Sequence, residues 1–330
     1  MAIPALIRTR RAAACTLLAV AGFLGCVTGA KAETFPNRPI RLQVGYTAGG
    51  GIDTVSRILA EEASPFLGQP IIVENKAGAG GIIAGDFVAK SDPDGHILMT
   101  AAAGAMVISP HLKRSMSYRL DDFTGVTLAG ASPLLIIVSA GSPITSLQDL
   151  IARAKANPGT ITYGTPGIGT SNHTAALLFE MAAGIKLQHV PYRGPEANMD
   201  LLAGRIDLVF DALTTASPFV SDGRVRALAV TTKTRASMLP SVPTIAESGF
   251  PGFDSANWYG IVAPAKTPPA HIEKLNAAFV KAIGKPAVQE KLKAIGFVPA
   301  GNSASEFNAF LKSEYEKMGA AIRAANITPE

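Results

Sequence analysis

Tyr163-Gly-Thr-Pro-Gly-Ile-Gly-Thr-Ser-Asn-His173 turns a short β-rich run through three glycines into a helix. Residues 160–163 suit a strand. From Ser171 onward, Ala175, Leu178, Phe179 and Ala182 recur at helical spacing. Glycine lets the backbone turn tightly and approach a ligand with no Cβ in the way. The helix start behind it offers unpaired N–H groups and roughly half a positive elementary charge. Strand, glycine loop and helix in that order form a unit of an α/β sheet, with a loop built to hold an anion.

The same unit recurs on both sides of this stretch. Upstream, a strand at 40–44 runs into Gly45-Tyr-Thr-Ala-Gly-Gly-Gly-Ile-Asp53 and a helix expected at 54–66, stopped by Gly68. A strand at 70–73, a glycine turn at 75–81, a helix to about residue 90 and a strand at 97–100 follow. Downstream lie strands at 187–191, 206–210 and 225–231, with helices at 196–203 and 217–221 between them. Helices at 147–156 and from Thr267-Pro-Pro to Gly284 complete the pattern, and a final helix opens with the Ser303-x-x-Glu306 capping box. Two apolar runs, 123–139 and 253–263, are long enough to carry the chain between two α/β halves. The reading is a discontinuous first domain of residues 33–131 plus 255–330 and a second of 132–254. Each is a mostly parallel sheet flanked by helices, with a ligand cleft between them. Trp258, the one tryptophan, lies on the second crossing and is expected to sense cleft closure.

The first 32 residues read differently. Arg8, Arg10 and Arg11 precede a small, apolar run, and Ala30-Lys31-Ala32 has the A-x-A form of a cleavage site. This is a secretory signal peptide, with cleavage expected after Ala32 and a periplasmic destination. The run is short for a membrane span. Leu24-Gly25-Cys26 raises lipoprotein processing, which Phe23 and Leu24 fit poorly. Removing the leader leaves 26 basic against 25 acidic residues, a balance of +1, so the high pI argues for no nucleic-acid partner. Both cysteines, Cys15 and Cys26, leave too, and no disulfide or thiolate chemistry remains.

Other chemistries find no support. Gly49-x-Gly51-x-x-Thr54 and Gly167-x-Gly169-x-x-Asn172 both miss the third glycine of a dinucleotide fingerprint, and there is no P-loop. There is no G-x-S-x-G elbow, and no two histidines have H-x-x-x-H spacing. No cofactor, no metal and no catalytic residue are expected. Thr170 and Ser171 stand where a helix-end anion lies. Asp211 follows an apolar strand and suits a ligand donor. Tyr46 and Tyr192 also follow strands and can wall a pocket. Asp53 is read as a ligand contact or a cap, and His173 as a ligand donor or a residue packed on the loop.

In order along the chain stand Phe35-Pro-x-Arg-Pro-Ile40, Ala48-Gly-Gly-x-x-Asp53, Leu67-Gly-Gln-Pro70, Val73-Glu-Asn75 and Gly78-Ala-Gly-Gly81. Pro93-Asp-Gly95, Val190-Pro-Tyr192, Asp207-Leu-Val-Phe-Asp211, Arg226-Ala-Leu-Ala-Val230 and Leu239-Pro-x-Val-Pro243 follow. Together they resemble the periplasmic solute-binding receptors of tripartite tricarboxylate transporters, the Bug family, over essentially the whole mature length. The resemblance implies a two-domain type II periplasmic binding protein fold that closes on a small carboxylate. It carries over Tyr46, Ala48, Gly49, Asp53, Gly169, Thr170, His173 and Asp211 as ligand-binding residues, beside Ser171 and Tyr192 from the residue reading above. It implies a monomer that delivers its ligand to integral-membrane permease subunits. The alternatives are a ligand-sensing co-receptor for a membrane sensor kinase and, in a different class, an exported enzyme acting on carboxylates or esters. Thr47-Ala48 stands where many relatives have two prolines. The bland Ala101-Ala-Ala-Gly-Ala-Met106 run suggests a less polar pocket wall.

Overall fold

The structure is a computed structural model that describes residues 34–192 and 196–324; the leader and its cleavage position lie outside them. Residues 34–37 contain a cis bond between Phe35 and Pro36. The fold below concerns the chain from Arg38 onward.

Strand β1 (Ile40–Val44) is buried at four of its five positions. It pairs in parallel with β2 (Ile71–Asn75) on one side and β3 (Ile97–Ala102) on the other. The connections are the helices Gly51–Leu67 and Ile82–Ala89, since parallel neighbours need crossovers of this length. The first helix starts at Gly51, three residues before the expected 54, with Gly50 as its cap. Its buried Ile52, Val55 and Leu59 lie on one face, and Gly68 ends it in the left-handed region at φ 73°.

The centre of the sheet is β4 (Phe123–Ser139), 17 residues long. Its first part runs antiparallel to β9 (Ala256–Pro264), from Phe123 opposite Pro264 to Pro133 opposite Ala256. Its second part, Leu134 to Ser139, runs antiparallel to β7 (Leu208–Ala212) and β8 (Val225–Val230). Beyond β7, β5 (Thr162–Thr165) pairs in parallel with both β7 and β6 (Gln188–Pro191). The strand order is β2-β1-β3-β9-β4-β7-β5-β6, and the two-residue β10 (Val298–Pro299) also pairs with β4. The sheet is thus parallel at its outer βα units and antiparallel around β4 and β9.

Alternation explains why β4 is apolar nearly throughout. Leu134, Ile136 and Val138 enter one core with Tyr163, Phe179 and Phe210. Leu135 and Ile137 point the other way, into a core with Leu201, Val209 and Leu213. A strand buried on both faces has no polar side. The β9 end packs Val262 and Trp258 against Phe307 and Leu311 of the last helix, Ala304–Ala324. That helix opens as read: Glu306 N donates to Ser303 Oγ at 3.2 Å and Ser303 N to Glu306 Oε2 at 2.9 Å. Two further helices depart from the sequence reading. The Leu213–Ser221 helix begins four residues early, directly at the end of β7. The Pro286–Ala294 helix was absent from it; Pro286 opens that helix, a position where the missing N–H costs nothing.

Candidate functional site

Three helices of the fold begin at one cleft. Gly50, Gly51 and Ile52 come from the start of Gly51–Leu67. Thr170, Ser171 and Asn172 come from the start of Ser171–Ala183, and Ala212 and Thr215 from the start of Leu213–Ser221. Each helix leaves its first N–H groups without an intrahelical partner and points the positive end of its dipole at the same space. These starts follow β1, β5 and β7, so the cleft sits at carboxyl ends of strands, as ligand sites of parallel α/β sheets do. Tyr46, Ala102, Asn257 and Tyr259 complete the lining beside these helix starts. The enclosed space is about 60 Å³. One water needs roughly 10–15 Å³, so the cavity suits a small molecule and not a nucleotide.

The loop that opens the sequence analysis is held by its own side chains. Thr170 caps the Ser171–Ala183 helix by accepting from His173 N at 3.3 Å, and its hydroxyl donates to Gly167 O at 2.8 Å. Gly169 has φ +76°, open to glycine at little cost, and its N–H donates to His173 Nδ1 at 3.3 Å. Behind the loop, the His173 and His189 rings stack at 4.2 Å, and Tyr163 stacks on the far side of His189 at 4.8 Å. Burial lowers His173 to about 4 and His189 to about 3, the latter helped by the charge of its neighbour. Both are neutral braces. The Gly104–Ile108 turn presses on this loop: a Cβ at Gly104 would lie 2.7 Å from Gly169 O and 3.2 Å from Thr170 Cα. Of the bland 101–106 run, Ala102 reaches the cleft.

Ser171 is the informative hydroxyl. It is 5% exposed, it lines the cleft, and its Oγ has no hydrogen-bond partner among the described residues. A buried hydroxyl without a partner costs free energy unless a ligand or water supplies one. Asp211 is the other polar anchor. It is the penultimate residue of β7 and 5% exposed. Its Oδ1 accepts from Thr215 Oγ1 at 2.5 Å and Ala212 N at 2.8 Å, and its Oδ2 from Asn198 Nδ2 at 2.7 Å. Burial pushes its carboxyl above the usual range, outweighing the three hydrogen bonds that lower it. Among the described residues lining the cleft there is no lysine, arginine or histidine, and Asp211 is the one carboxyl.

Of the residues singled out by sequence, Tyr46, Thr170, Ser171 and Asp211 line the cleft. The Tyr46 hydroxyl donates to Gly80 O at 2.9 Å, which ties the first loop to the glycine turn beside it. Asp53 turns its carboxylate to the loop instead. It accepts from Gly49 N at 3.0 Å, Asn75 Nδ2 at 2.9 Å and both Arg57 Nε and Nη2 at 3.0 Å. Burial raises its pKa, but those bonds, led by Arg57, outweigh burial and hold it below the usual carboxylate range. Ala48 and Gly49 are exposed at the loop tip, beside the lining residues Thr47 and Gly50. Gly169 and His173 sit one layer behind the wall. Tyr192 points to Asp200, donating at 2.8 Å. Trp258 does not face the cleft: alternation along β9 puts Asn257 and Tyr259 on the cleft side and Trp258 in the core, with Phe310 at 5.3 Å. Trp258 thus lies on the second crossing but in the core behind the cleft wall.

The sequence reading missed Asn257, Tyr259 and Thr215. Asn257 Nδ2 donates to Tyr259 OH at 2.9 Å. The signal available was a polar pair two residues apart in an otherwise apolar strand.

The architecture has known counterparts. The model of the tripartite tricarboxylate transporter family receptor matches residues 55–327. The chain belongs to that receptor family. A relative from Pseudomonas sp. (strain P51), the UPF0065 protein in the tcbD-tcbE intergenic region, is 40% identical over 288 residues, covering 86% of this chain and 85% of its own. The periplasmic binding protein BugD superposes with a TM-score of 0.84 at 32% identity, over 90% of this chain and all of its own. R. palustris Rpa4515, solved with adipate, gives 0.86 at 33% over 90% of this chain and 100% of that one. MatC of Rhodopseudomonas palustris, solved with malate, gives 0.83 at 29% over 87% and 100%. The α/β fold is that of the Bug-type periplasmic binding proteins, and the chain is a binding protein rather than an enzyme.

Proposed function

We propose that this receptor captures a small mono- or dicarboxylate in the cleft and delivers it to the permease subunits of a tripartite tricarboxylate-type transporter. The observation that carries the reading is the convergence of three helix starts and the Ser171 hydroxyl on a small cleft; among the described residues that hydroxyl has no partner and the cleft wall has no cation. Oriented N–H groups and helix dipoles neutralise a carboxylate with donors already fixed in place. A multiply charged ligand such as citrate is disfavoured, because no lysine or arginine is among the described residues of the wall. The adipate and malate carried by two solved relatives support a small aliphatic diacid.

In this reading residues 33–131 with 255–330 form one lobe and 132–254 the other, and β4 and β9 are the hinge. Tyr46, Thr170, Ser171 and Asp211 touch the ligand. Ala48, Gly49 and Asp53 shape one jaw; Gly169, His173 and Tyr192 shape the other. The ligand favours the closed arrangement by binding it more tightly than the open one, and the permease reads that state. Residues 1–32 direct export to the periplasm and are removed after Ala32, which the mass of the secreted chain tests.

The experiment is a thermal-shift screen of refolded, ligand-stripped protein against carboxylates, paired with mass spectrometry of whatever co-purifies with the native protein. A raised melting temperature with a small diacid is expected. No shift with any carboxylate and no organic acid in the native sample would overturn the assignment.

A further inference from the structure

Placing a carboxylate in this cleft sets a second negative group beside Asp211. Among the described residues, no lysine, arginine or histidine lines the wall to offset the pair. The helix starts offset the ligand's charge only in part, and two carboxyl groups sharing one desolvated site favour taking up one proton between them. We infer that a carboxylate ligand enters this cleft together with a proton, and that Asp211 is the group that holds it. The inference rests on the carboxylate reading above.

The surroundings of Asp211 accommodate both of its forms. Oδ1 is occupied by two donors, Thr215 Oγ1 and Ala212 N, while Oδ2 receives one, Asn198 Nδ2. The second lone pair of Oδ2 is the place for a proton. Asn198 is 3% exposed, and its Oδ1 has no partner among the described residues. Rotating that amide by half a turn replaces the N–H donor by a carbonyl acceptor at the same position, matched to an Oδ2–H. Alternatively the Oδ2–H donates to the ligand carboxylate, and Asp211 changes from a repelling group into a hydrogen-bond donor. In either case the ligand meets a neutral wall.

The other ionisable groups around Asp211 do not take its place. Tyr46 and Tyr259 share the cleft, and burial raises both phenols further from neutral pH. On the Glu196–Leu202 helix, Asp200 is engaged by Tyr192 and Arg205, and Glu196 is exposed. Asp53, at the start of the Gly51–Leu67 helix, is paired with Arg57. His173 lies behind the glycine loop, stacked on His189. The Leu213–Ser221 helix and the Leu134 to Ser139 part of β4 carry no ionisable side chain.

The sign follows from linkage. A ligand that favours protonated Asp211 binds more tightly at lower pH. Its affinity falls as pH rises, by up to about tenfold per pH unit between the carboxyl's pKa in the free and in the bound protein.

The test is calorimetric titration of ligand-stripped protein with malate and with adipate. It runs between about pH 6 and about pH 8, where both are largely ionised, in two buffers of different ionisation enthalpy at each pH. The expected result is a buffer-dependent heat that reports net proton uptake approaching about one per ligand. Asp211→Asn should bind with no uptake and a flat pH profile. Binding without uptake by the natural protein, or uptake that survives in Asp211→Asn, overturns the inference and leaves the carboxylate reading in place. Failure of both acids to bind overturns the carboxylate reading and this inference with it. Where Asp211→Asn does not fold, the buffer comparison on the natural protein decides.

Discussion

The imidazoles of His173 and His189 stack with centroids 4.2 Å apart and planes inclined by 21°, and His173 Nδ1 accepts the Gly169 N–H. A ring that accepts at Nδ1 carries its proton on Nε2, so protonating it removes the acceptor and places charge against a second ring. The folded protein therefore resists protonation at both sites.

The sign of the pH effect follows from that resistance. Burial lowers His173 from 6.5 to about 4 and His189 from 6.5 to about 3. Below about pH 6.5 the unfolded chain takes up these protons while the folded chain does not. Their contribution to stability is whole above 6.5 and is lost as the pH falls toward those values. Urea midpoints for the natural protein and His189→Phe should both fall with acid, and the variant should lose less. Equal losses would remove the stack from the account.

Asp53 braces the first loop from behind. Replacing it with Asn keeps the shape but weakens the bonds to Arg57 and Gly49 N, at a cost of about 1–2 kcal/mol. Since its carboxylate turns away from the cleft, stability should move more than ligand affinity. Denaturation and calorimetry on Asp53→Asn check this; an affinity loss with unchanged stability would place Asp53 against the ligand instead.

Thr170 and Ser171 separate capping from binding. Thr170→Val deletes a helix cap, so it should cost about 1 kcal/mol of stability as well as affinity. Ser171→Ala removes a hydroxyl with no protein partner. It should leave stability within about 0.5 kcal/mol and weaken ligand binding by about 0.5–1.5 kcal/mol. A Ser171→Ala protein with full affinity would take that hydroxyl out of the site.

Gly51 comes close to Thr214 beside the cleft. A Cβ there would overlap Thr214 Oγ1 and lie 3.4 Å from Tyr259 OH. Gly51→Ala should push the start of the Gly51–Leu67 helix away from Thr214. The expected outcome is weaker binding and a larger radius of gyration in solution scattering under saturating ligand. Unchanged affinity would show that the cleft does not need this close approach.

Much of this arrangement was legible in residue order. The glycines and the helical spacing after Ser171 located one wall of the cleft, and the apolar 123–139 run, read as a crossing segment, proved to be the long central strand. Side-chain direction was not legible. Position in the sequence left Asp53 open between ligand contact and cap, and His173 open between ligand donor and residue packed on the loop; it gave no sign that Tyr192 turns to Asp200. The pairing register of β9 against β4 sets which of Trp258 and Tyr259 meets the cleft, and that register depends on contacts far apart in the chain. The third helix start at Leu213 was hidden because apolar residues continue from β7 into the helix without a breaker.

The claim that helix starts and fixed dipoles hold a carboxylate is tested most directly by matched pairs. Ligand-stripped protein is titrated calorimetrically with malate and malamide, then with adipate and adipamide. The account predicts that at least one acid binds and its amide binds at least about tenfold more weakly, a difference of about 1.4 kcal/mol. Equal binding of acid and amide, or no binding of either acid, would contradict it.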